Sequence, residues 1–248
     1  MSLVGSEMCI RDSSRGRRNG GPWAPEQGKG RATMPCVLKI PGHPSPHARE
    51  VKLEEIRSAL GDCRLCPLCE TRRNIVFGTG SQDARVVLVG EAPGANEDEQ
   101  GLPFVGRAGE LLDRMLVQAA LMPREDVYIA NVLKCRPPGN RDPRPDEVQL
   151  CSPYLREQIR SIWPDIIMPM GNPATRFILR TEAGITHLRG KVFKTGHFYV
   201  LPTFHPAAVL RDPFKMEALE ADFRLMGQIV RGEVRPEGLA APGKEQAR

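Results

Sequence analysis

Residues 85–94, RVVLVGEAPG, decide how the rest of the chain is interpreted. The first six are almost continuously apolar and β-branched, a pattern typical of a strand buried on both faces of a sheet. The strand then ends in Gly90, Glu91, Ala92, Pro93 and Gly94, residues that a plain α/β protein would not need there. The segment therefore predicts both a sheet and a functional edge.

Similar runs recur along the chain and alternate with helical patterns. Three further strands are predicted at residues 127–133, 165–170 and 199–204. Helices are predicted at residues 51–60, 109–121, 146–163, 173–179 and 216–231. This alternation predicts an α/β fold, a three-layer α/β/α sandwich around a four-stranded parallel sheet.

Composition divides the 248 residues into one domain and two tails. Residues 1–50 are rich in Gly, Pro, Arg and Ser without an apolar period, which predicts disorder. Their opening, MSLVGSEMCIRDS, resembles non-native read-through sequence, and Met34 is a candidate native start. We expect a single domain at residues 51–232 and a flexible tail at residues 233–248.

Charge and hydropathy limit the possible classes of protein. No run approaches the ~20 apolar residues of a membrane span, and residues 1–34 lack the apolar core of a signal peptide. We therefore expect a cytoplasmic protein without a membrane partner. The formal net charge is +5, and six basic and three acidic residues within 1–34 supply +3 of it, leaving +2. DNA affinity would depend on local clusters of charge.

Three polar residues follow different predicted strands. Glu91, Asn131 and His205 each stand where a strand ends. Since ligands bind beyond the carboxyl ends of parallel strands, these side chains should converge on one pocket. Taken singly, each is more simply a capping glutamate, a turn asparagine or a structural histidine. Their shared position favours a site but indicates no reaction.

Seven cysteines stand at positions 9, 36, 63, 66, 69, 135 and 151. Without an export signal, disulfides are a poor expectation. The close spacing of Cys63, Cys66 and Cys69 favours a metal or cluster site instead. Four thiolates suit zinc and iron–sulfur clusters equally, so the spacing leaves the choice open.

Three motifs resemble the family 4 uracil-DNA glycosylases. They are VGEAPGANEDEQGLPFVGRAGELL at residues 89–112, NVLKCRPPGN at 131–140 and TFHPAAVLR at 203–211. The resemblance runs from about residue 51 to 231. It departs from the family at Ala207, where serine is usual, and at Ala92, where some members have glycine. It implies an enzyme that hydrolyses the uracil–deoxyribose bond in single- or double-stranded DNA, leaving an abasic site for base excision repair.

The resemblance also implies a cofactor. A [4Fe–4S] cluster would be bound by Cys63, Cys66, Cys135 and Cys151, joining the N-terminal helix to the segment after the second strand. Cys69 has no place in the family pattern, and we expect it to be a free thiol.

The implied catalytic residues are His205, Glu91 and Glu97. His205 would donate a hydrogen bond to the uracil oxyanion that forms on cleavage. Glu91 would approach the base or the water. Glu97 and Asn140 are candidates for holding the water or excluding the methyl group of thymine.

The implied substrate-binding residues are Phe104, Asn131, Ala92 and Asn140. Phe104 would stack on a flipped base. The alternative is a core phenylalanine, but Gly101, Pro103 and Gly106 around it favour an exposed loop. Asn131 can both donate to and accept from the edge of uracil, which separates uracil from cytosine. Ala92 would line the pocket.

The implied partner is uracil-containing DNA, bound by a monomer. The segment after His205 would be a loop that enters the minor groove, where Val209 or Leu210 would fill the hole left by the flipped base and Arg211 would meet phosphates. The arginines at 136, 141 and 144 are either phosphate contacts or solvated surface charges. Residues 139–147 lack the histidine that captures the sugar covalently in a related branch, which favours ordinary turnover. The alternatives are a non-catalytic or suicide uracil-DNA-binding protein, a zinc-stapled DNA-binding protein, or a glycosylase of broader range.

Overall fold

A computed structural model describes residues 51–242 of the protein. The expectations for residues 1–50, including disorder, a start at Met34 and the roles of Cys9 and Cys36, lie outside the described residues. So does the end of the C-terminal tail, residues 243–248.

Within this range the chain forms seven strands and eight α-helices. The strands are β1 (Thr79–Gly80), β2 (Val86–Gly90), β3 (Val127–Asn131), β4 (Ile166–Pro169), β5 (Phe193–Thr195), β6 (Phe198–Val200) and β7 (Leu239–Ala240). The helices are α1 (Leu53–Leu60), α2 (Ala95–Gln100), α3 (Arg107–Arg114), α4 (Pro145–Ile162), α5 (Asn172–Leu179), α6 (Ile185–Leu188), α7 (Pro206–Arg211) and α8 (Met216–Val230). Helix α3 continues through a π-helical turn, Met115–Ala120.

The strands form a single sheet in the order β1-β3-β2-β4-β6-β5-β7. The four predicted strands are its centre, β3-β2-β4-β6, and they run parallel as predicted. The sheet is wider than the predicted four strands. β1 pairs antiparallel with β3, β5 antiparallel with β6, and β7 parallel with β5. These edge strands have two or three residues each, too few to show an alternating pattern.

Helices cover both faces of the sheet. Leu88 of β2 packs with residues of α3 and α8 on one side, whereas Val87 and Val89 pack with residues of α4 and α5 on the other. Successive side chains of a strand point to opposite faces, so this alternation gives the predicted three layers. No helix between residues 51 and 242 is both long and apolar enough to span a bilayer.

Two segments differ from expectation. The strand predicted at 199–204 ends at Val200, although the Leu201 and Thr203 amides still donate to the Ile167 and Pro169 carbonyl oxygens, and an isolated bridge joins Met170 to Thr203. The segment after His205, which we expected to be a loop, is helix α7, with Pro206 in its first turn. The tail expected to be flexible from residue 233 contains β7 within its described part.

A buried lysine connects β3 to α4. The Lys134 ammonium donates to the Asn131 carbonyl oxygen at 2.9 Å and to Gln158 Oε1 at 2.7 Å. Gln158 Nε2 donates in turn to the Phe77 carbonyl and to the Tyr128 hydroxyl, both at 2.9 Å. Burial lowers the pKa of Lys134 to about 8. The network satisfies a polar group that would otherwise be costly inside the protein.

We expect Gln158→Leu to destabilise the protein by about 1–3 kcal/mol, because Lys134 and the Phe77 carbonyl each lose a buried partner. Urea unfolding measures the change. Gln149→Leu, on the exposed face of α4, is the matched control and should change stability by less than about 0.5 kcal/mol. Equal stability of both variants would show that the network contributes nothing.

Candidate active site

A cleft of about 690 Å³ opens at the carboxyl ends of the parallel strands. Glu91 follows β2, Asn131 ends β3, and His205 precedes α7; all three line this cleft. Gly171, after β4, lines it as well. The structure thus brings together the three side chains that sequence position alone predicted to converge.

Phe104 presents its ring to this cleft from a strained backbone. Its φ of +55° is uncommon for a bulky residue, and its side chain is 6% exposed. The ring stacks on His205 with centroids 5.4 Å apart and planes 26° apart. Gly109 allows the arrangement, because a Cβ there would lie 1.9 Å from the Phe104 carbonyl oxygen. Arg124 Nη2 donates to that oxygen at 3.2 Å. Strained conformations of this kind cluster at ligand-binding sites.

Asn131 carries a buried acceptor without a partner. The residue is 2% exposed, and its Oδ1 accepts no hydrogen bond within the described part of the chain. A Cβ at Gly90 would lie 2.2 Å from this oxygen and 2.9 Å from the Phe104 ring, so only glycine fits. An orphaned buried oxygen in a cleft is suited to a ligand that offers an N–H donor.

His205 is held as a neutral donor. The Ala207 amide donates to Nδ1 at 3.1 Å, so the ring hydrogen of the neutral imidazole stands on Nε2. Burial lowers the pKa of His205 to about 4, and the charge of Arg211 adds to this effect against the opposing effect of Glu97. At neutral pH the ring therefore offers one N–H and carries no charge.

Glu91 titrates near neutrality. Burial, followed by the negative charge of Asp142, raises the pKa of Glu91 to about 7. The Glu91 carbonyl oxygen accepts from the Leu133 amide at 3.0 Å, which fixes the backbone at the strand end. The carboxyl group is thus poised between its two protonation states at physiological pH.

Glu97 is engaged differently from its predicted catalytic role. Its carboxylate accepts from the amides of Gly94 at 3.0 Å, Val105 at 3.0 Å and Gly106 at 3.2 Å. These bonds cap the N-terminus of α2 and tie its first turn to the residues that follow Phe104. The arrangement makes Glu97 a positioning residue and leaves little of its carboxylate to hold a water.

The two remaining predicted pocket residues lie at the cleft's margins. Asn140 is exposed, and its Oδ1 accepts from Arg136 Nε at 2.8 Å, so its amide orients an arginine at the rim. Ala92 lines the cleft and also packs beside Leu133 and Cys135. Ala92 therefore connects the cleft to the cysteine-rich region.

The predicted DNA wedge must be revised. Val209 is fully buried in the core, because it lies on the inward face of α7. It cannot reach DNA unless α7 unfolds. Leu210 is half-buried and Arg211 is exposed at the cleft. Lys215 and Arg176 also line the cleft, and we did not predict them, since each stands in or beside a helical pattern.

Four cysteines meet on the side of the sheet that carries α4. Cys63 and Cys66 precede a short turn, Pro67–Glu70, while Cys135 follows β3 and Cys151 lies on α4. Burial raises the pKa of Cys135 to about 12 and that of Cys151 to about 11. Cys66, Cys135 and Cys151 pack in one apolar cluster with Leu133, and Arg72 Nη1 donates to both the Cys63 carbonyl oxygen and Cys135 Sγ, so the four residues are neighbours.

The surroundings of these sulfur atoms fit a thiolate-bound group. Arg72 Nη1 donates to Cys135 Sγ at 3.4 Å, and the Lys134 amide donates to Cys151 Sγ at 3.2 Å. Such N–H donors stabilise coordinated thiolates. Between residues 51 and 242 no three His, Cys, Asp or Glu side chains are arranged around a single ion. A four-iron cluster is wider and takes one thiolate at each iron. Arg72 was not predicted, because a lone arginine in sequence is indistinguishable from a surface charge.

Comparisons with known proteins agree with this geometry. The family model described as the uracil DNA glycosylase superfamily matches residues 77–226. The type-4 uracil-DNA glycosylase of Archaeoglobus fulgidus is 44% identical over 71% of this chain and 92% of its own. The enzyme of Sulfurisphaera tokodaii is 43% identical over 71% of this chain and 84% of its own. The enzyme of Thermotoga maritima is 45% identical over 67% of this chain and 87% of its own. The chain therefore belongs to the uracil-DNA glycosylase superfamily.

Proposed function

We propose that the chain is a uracil-DNA glycosylase that hydrolyses the N-glycosidic bond of deoxyuridine in DNA, leaving an abasic site and initiating base excision repair. One observation carries the proposal. The neutral Nε2–H of His205 and the orphaned Oδ1 of Asn131 line one cleft, beside the ring of Phe104.

Recognition requires that the nucleotide leave the base stack, since its glycosidic bond is out of reach inside a duplex. The flipped uracil would stack on Phe104 and donate its N3–H to Asn131 Oδ1, while its O4 would accept from Nδ2. Cytosine has a lone pair at N3 and an amino group at position 4, so it would oppose both bonds. The small side chain of Ala92 leaves room in the cleft.

Cleavage moves the bonding electron pair from C1′–N1 onto uracil. His205 would donate its Nε2–H to the uracil oxygen on which this charge collects. A neutral histidine suffices, because it donates without needing to transfer its proton. Glu91, when ionised, would stabilise the positive charge on the sugar and accept a proton from the water that adds to C1′.

DNA would be held at the mouth of the cleft. Arg211, Lys215 and Arg176 line the cleft and would meet phosphates on either side of the flipped nucleotide. Leu210 remains a candidate for the space that the base vacates. One chain supplies every residue of this arrangement, so we propose a monomer. We also propose that it acts in the cytoplasm, together with the DNA that it repairs.

We propose that Cys63, Cys66, Cys135 and Cys151 hold a [4Fe–4S] cluster. When bound, the cluster cross-links the segment after α1, the segment after β3 and helix α4. Arg72 and the Lys134 amide would stabilise its thiolates. We propose a structural role: Ala92 packs against the apolar cluster of Leu133 and Cys135 and also lines the cleft, so the bound cluster would support the floor of the site.

Excision from uracil-containing oligonucleotides tests the proposal. We expect His205→Ala to lower kcat by about 10²- to 10³-fold, the usual loss of one oxyanion donor. His187→Ala, an exposed histidine, is the matched control and should keep full activity. The assay uses single- and double-stranded uracil substrates, a thymine oligonucleotide and alkaline cleavage of abasic sites. A cluster-loaded protein that binds uracil DNA without cleaving it would support the non-catalytic alternative.

The pH dependence of kcat/KM should reflect the ionisation of the Glu91 carboxyl group. Because the pKa of Glu91 is raised to about 7, its carboxylate forms as pH rises through 7, and kcat/KM should increase across that range. His205, with its pKa lowered to about 4, stays neutral throughout and adds no break above pH 5. Glu91→Gln should remove the break and lower the plateau. A break near pH 7 that persists in Glu91→Gln would assign it to another group.

The proposed cluster ligands predict different metal contents for the alanine variants of Cys135 and Cys69. Cys135→Ala should lose iron, sulfide and visible absorption, since it removes a ligand. Cys69→Ala should keep all three, because Cys69 is expected to be a free thiol. Metal analysis and absorption spectra of both variants decide the point. Zinc in place of iron and sulfide in the wild-type protein would overturn the cluster while keeping its ligands.

A further inference from the structure

Phe214 is the most exposed large hydrophobic side chain among residues 51–242. It is 99% exposed, whereas the next, Leu121, is 65% exposed. It lies in a short turn, Pro213–Lys215, directly after α7. A single exposed apolar side chain is common on protein surfaces, so the exposure of Phe214 shows only that its ring is accessible to a partner, and the residues around it must indicate which partner.

A backbone hydrogen bond and an ion pair hold the turn that carries Phe214. The Lys215 amide donates to the Asp212 carbonyl oxygen at 3.1 Å, and the Lys215 ammonium contacts the Asp212 carboxylate at 2.8 Å. The same ammonium lies 5.6 Å from the ring centroid of Phe204, which lines the cleft. Pro213 restricts the first position of the turn. Phe214 is therefore presented from a fixed place beside the mouth.

Its neighbours in sequence are cations that face the same cleft. Arg211 lies three residues before Phe214, and Lys215 follows it directly; both line the cleft. An aromatic side chain between cations is the arrangement with which proteins hold single-stranded or opened nucleic acid. The cations meet phosphates and the ring stacks on a base.

We propose that Phe214 stacks on a DNA base next to the nucleotide that enters the cleft. This inference rests on the proposed function, since it takes DNA as the partner. Val209 is buried and Leu210 is half-buried against the core, whereas Phe214 is 99% exposed, so Phe214 is the most accessible apolar side chain of residues 209–215. The contact is apolar and independent of which base is present, because every base has a face on which to stack.

Binding as a function of salt separates stacking from charge. An alanine at position 214 removes a ring but no charge, so it should weaken binding by about 5- to 100-fold at every salt concentration. Lys215→Ala removes a phosphate contact, so it should flatten the dependence of log Kd on log salt concentration by about 0.7–0.9.

The experiment measures fluorescence anisotropy of a labelled oligonucleotide that carries a tetrahydrofuran abasic-site analogue, which the protein cannot cleave. Wild type, Phe214→Ala, Phe214→Trp and Lys215→Ala are compared at four salt concentrations. Val117→Ala, an exposed apolar residue outside the cleft, is the matched control. Thermal unfolding confirms that each variant folds.

We expect Phe214→Ala to lose affinity with an unchanged salt slope, Phe214→Trp to retain affinity, and Val117→Ala to match wild type. Binding of Phe214→Ala within twofold of wild type would overturn the inference, as would a flattened salt slope like that of Lys215→Ala. Uracil excision is measured separately. A wild-type protein that fails to excise would refute the proposed function, while a loss of affinity in Phe214→Ala would still support stacking.

Discussion

The buried ammonium of Lys134 is the interaction on which the site depends. It holds the carbonyl of Asn131 on one side and Gln158 of α4 on the other, while the amide of the same residue donates to Cys151. Asn131 at the end of β3, the long helix α4 and Cys151 therefore all contact the same residue. Since a buried charge is costly without partners, these parts cannot loosen independently.

Two features of the empty cleft are energetically unfavourable, and a suitable base would relieve one of them. The left-handed backbone of Phe104 and the unpaired Oδ1 of Asn131 each destabilise the empty protein, by about 1–3 kcal/mol in comparable cases. A base with an N–H opposite Asn131 would remove the second cost. A base with a lone pair there would leave the acceptor unpaired and add repulsion. In the proposed mechanism, selectivity would therefore arise from the polar group that the wrong base leaves unpaired.

The central strands and the convergence of Glu91, Asn131 and His205 could be predicted, because β2, β3 and β4 are fully buried and carry a strong apolar signal, and the three-residue β6 lies at the start of the longer apolar run at residues 199–204. The edge strands could not, since two or three residues show no period. Val209 was misplaced because α7 was taken for a loop, although Pro206 is typical of a helix start. Lys134 was missed because a lysine in sequence indicates a surface.

The mouth of the cleft explains how a weakly charged domain could hold DNA. The cations Arg211, Lys215 and Arg176 lie at the rim, whereas Asp142 lies beside Glu91. A phosphate backbone would be attracted to the three cations and repelled by Asp142. The charge of Asp142, which adds to the effect of burial in raising the pKa of Glu91, would thus also repel phosphates from the interior of the cleft. Only the uncharged base would then enter. The local arrangement of charges at the cleft, and not the net charge of the domain, would determine how DNA approaches it.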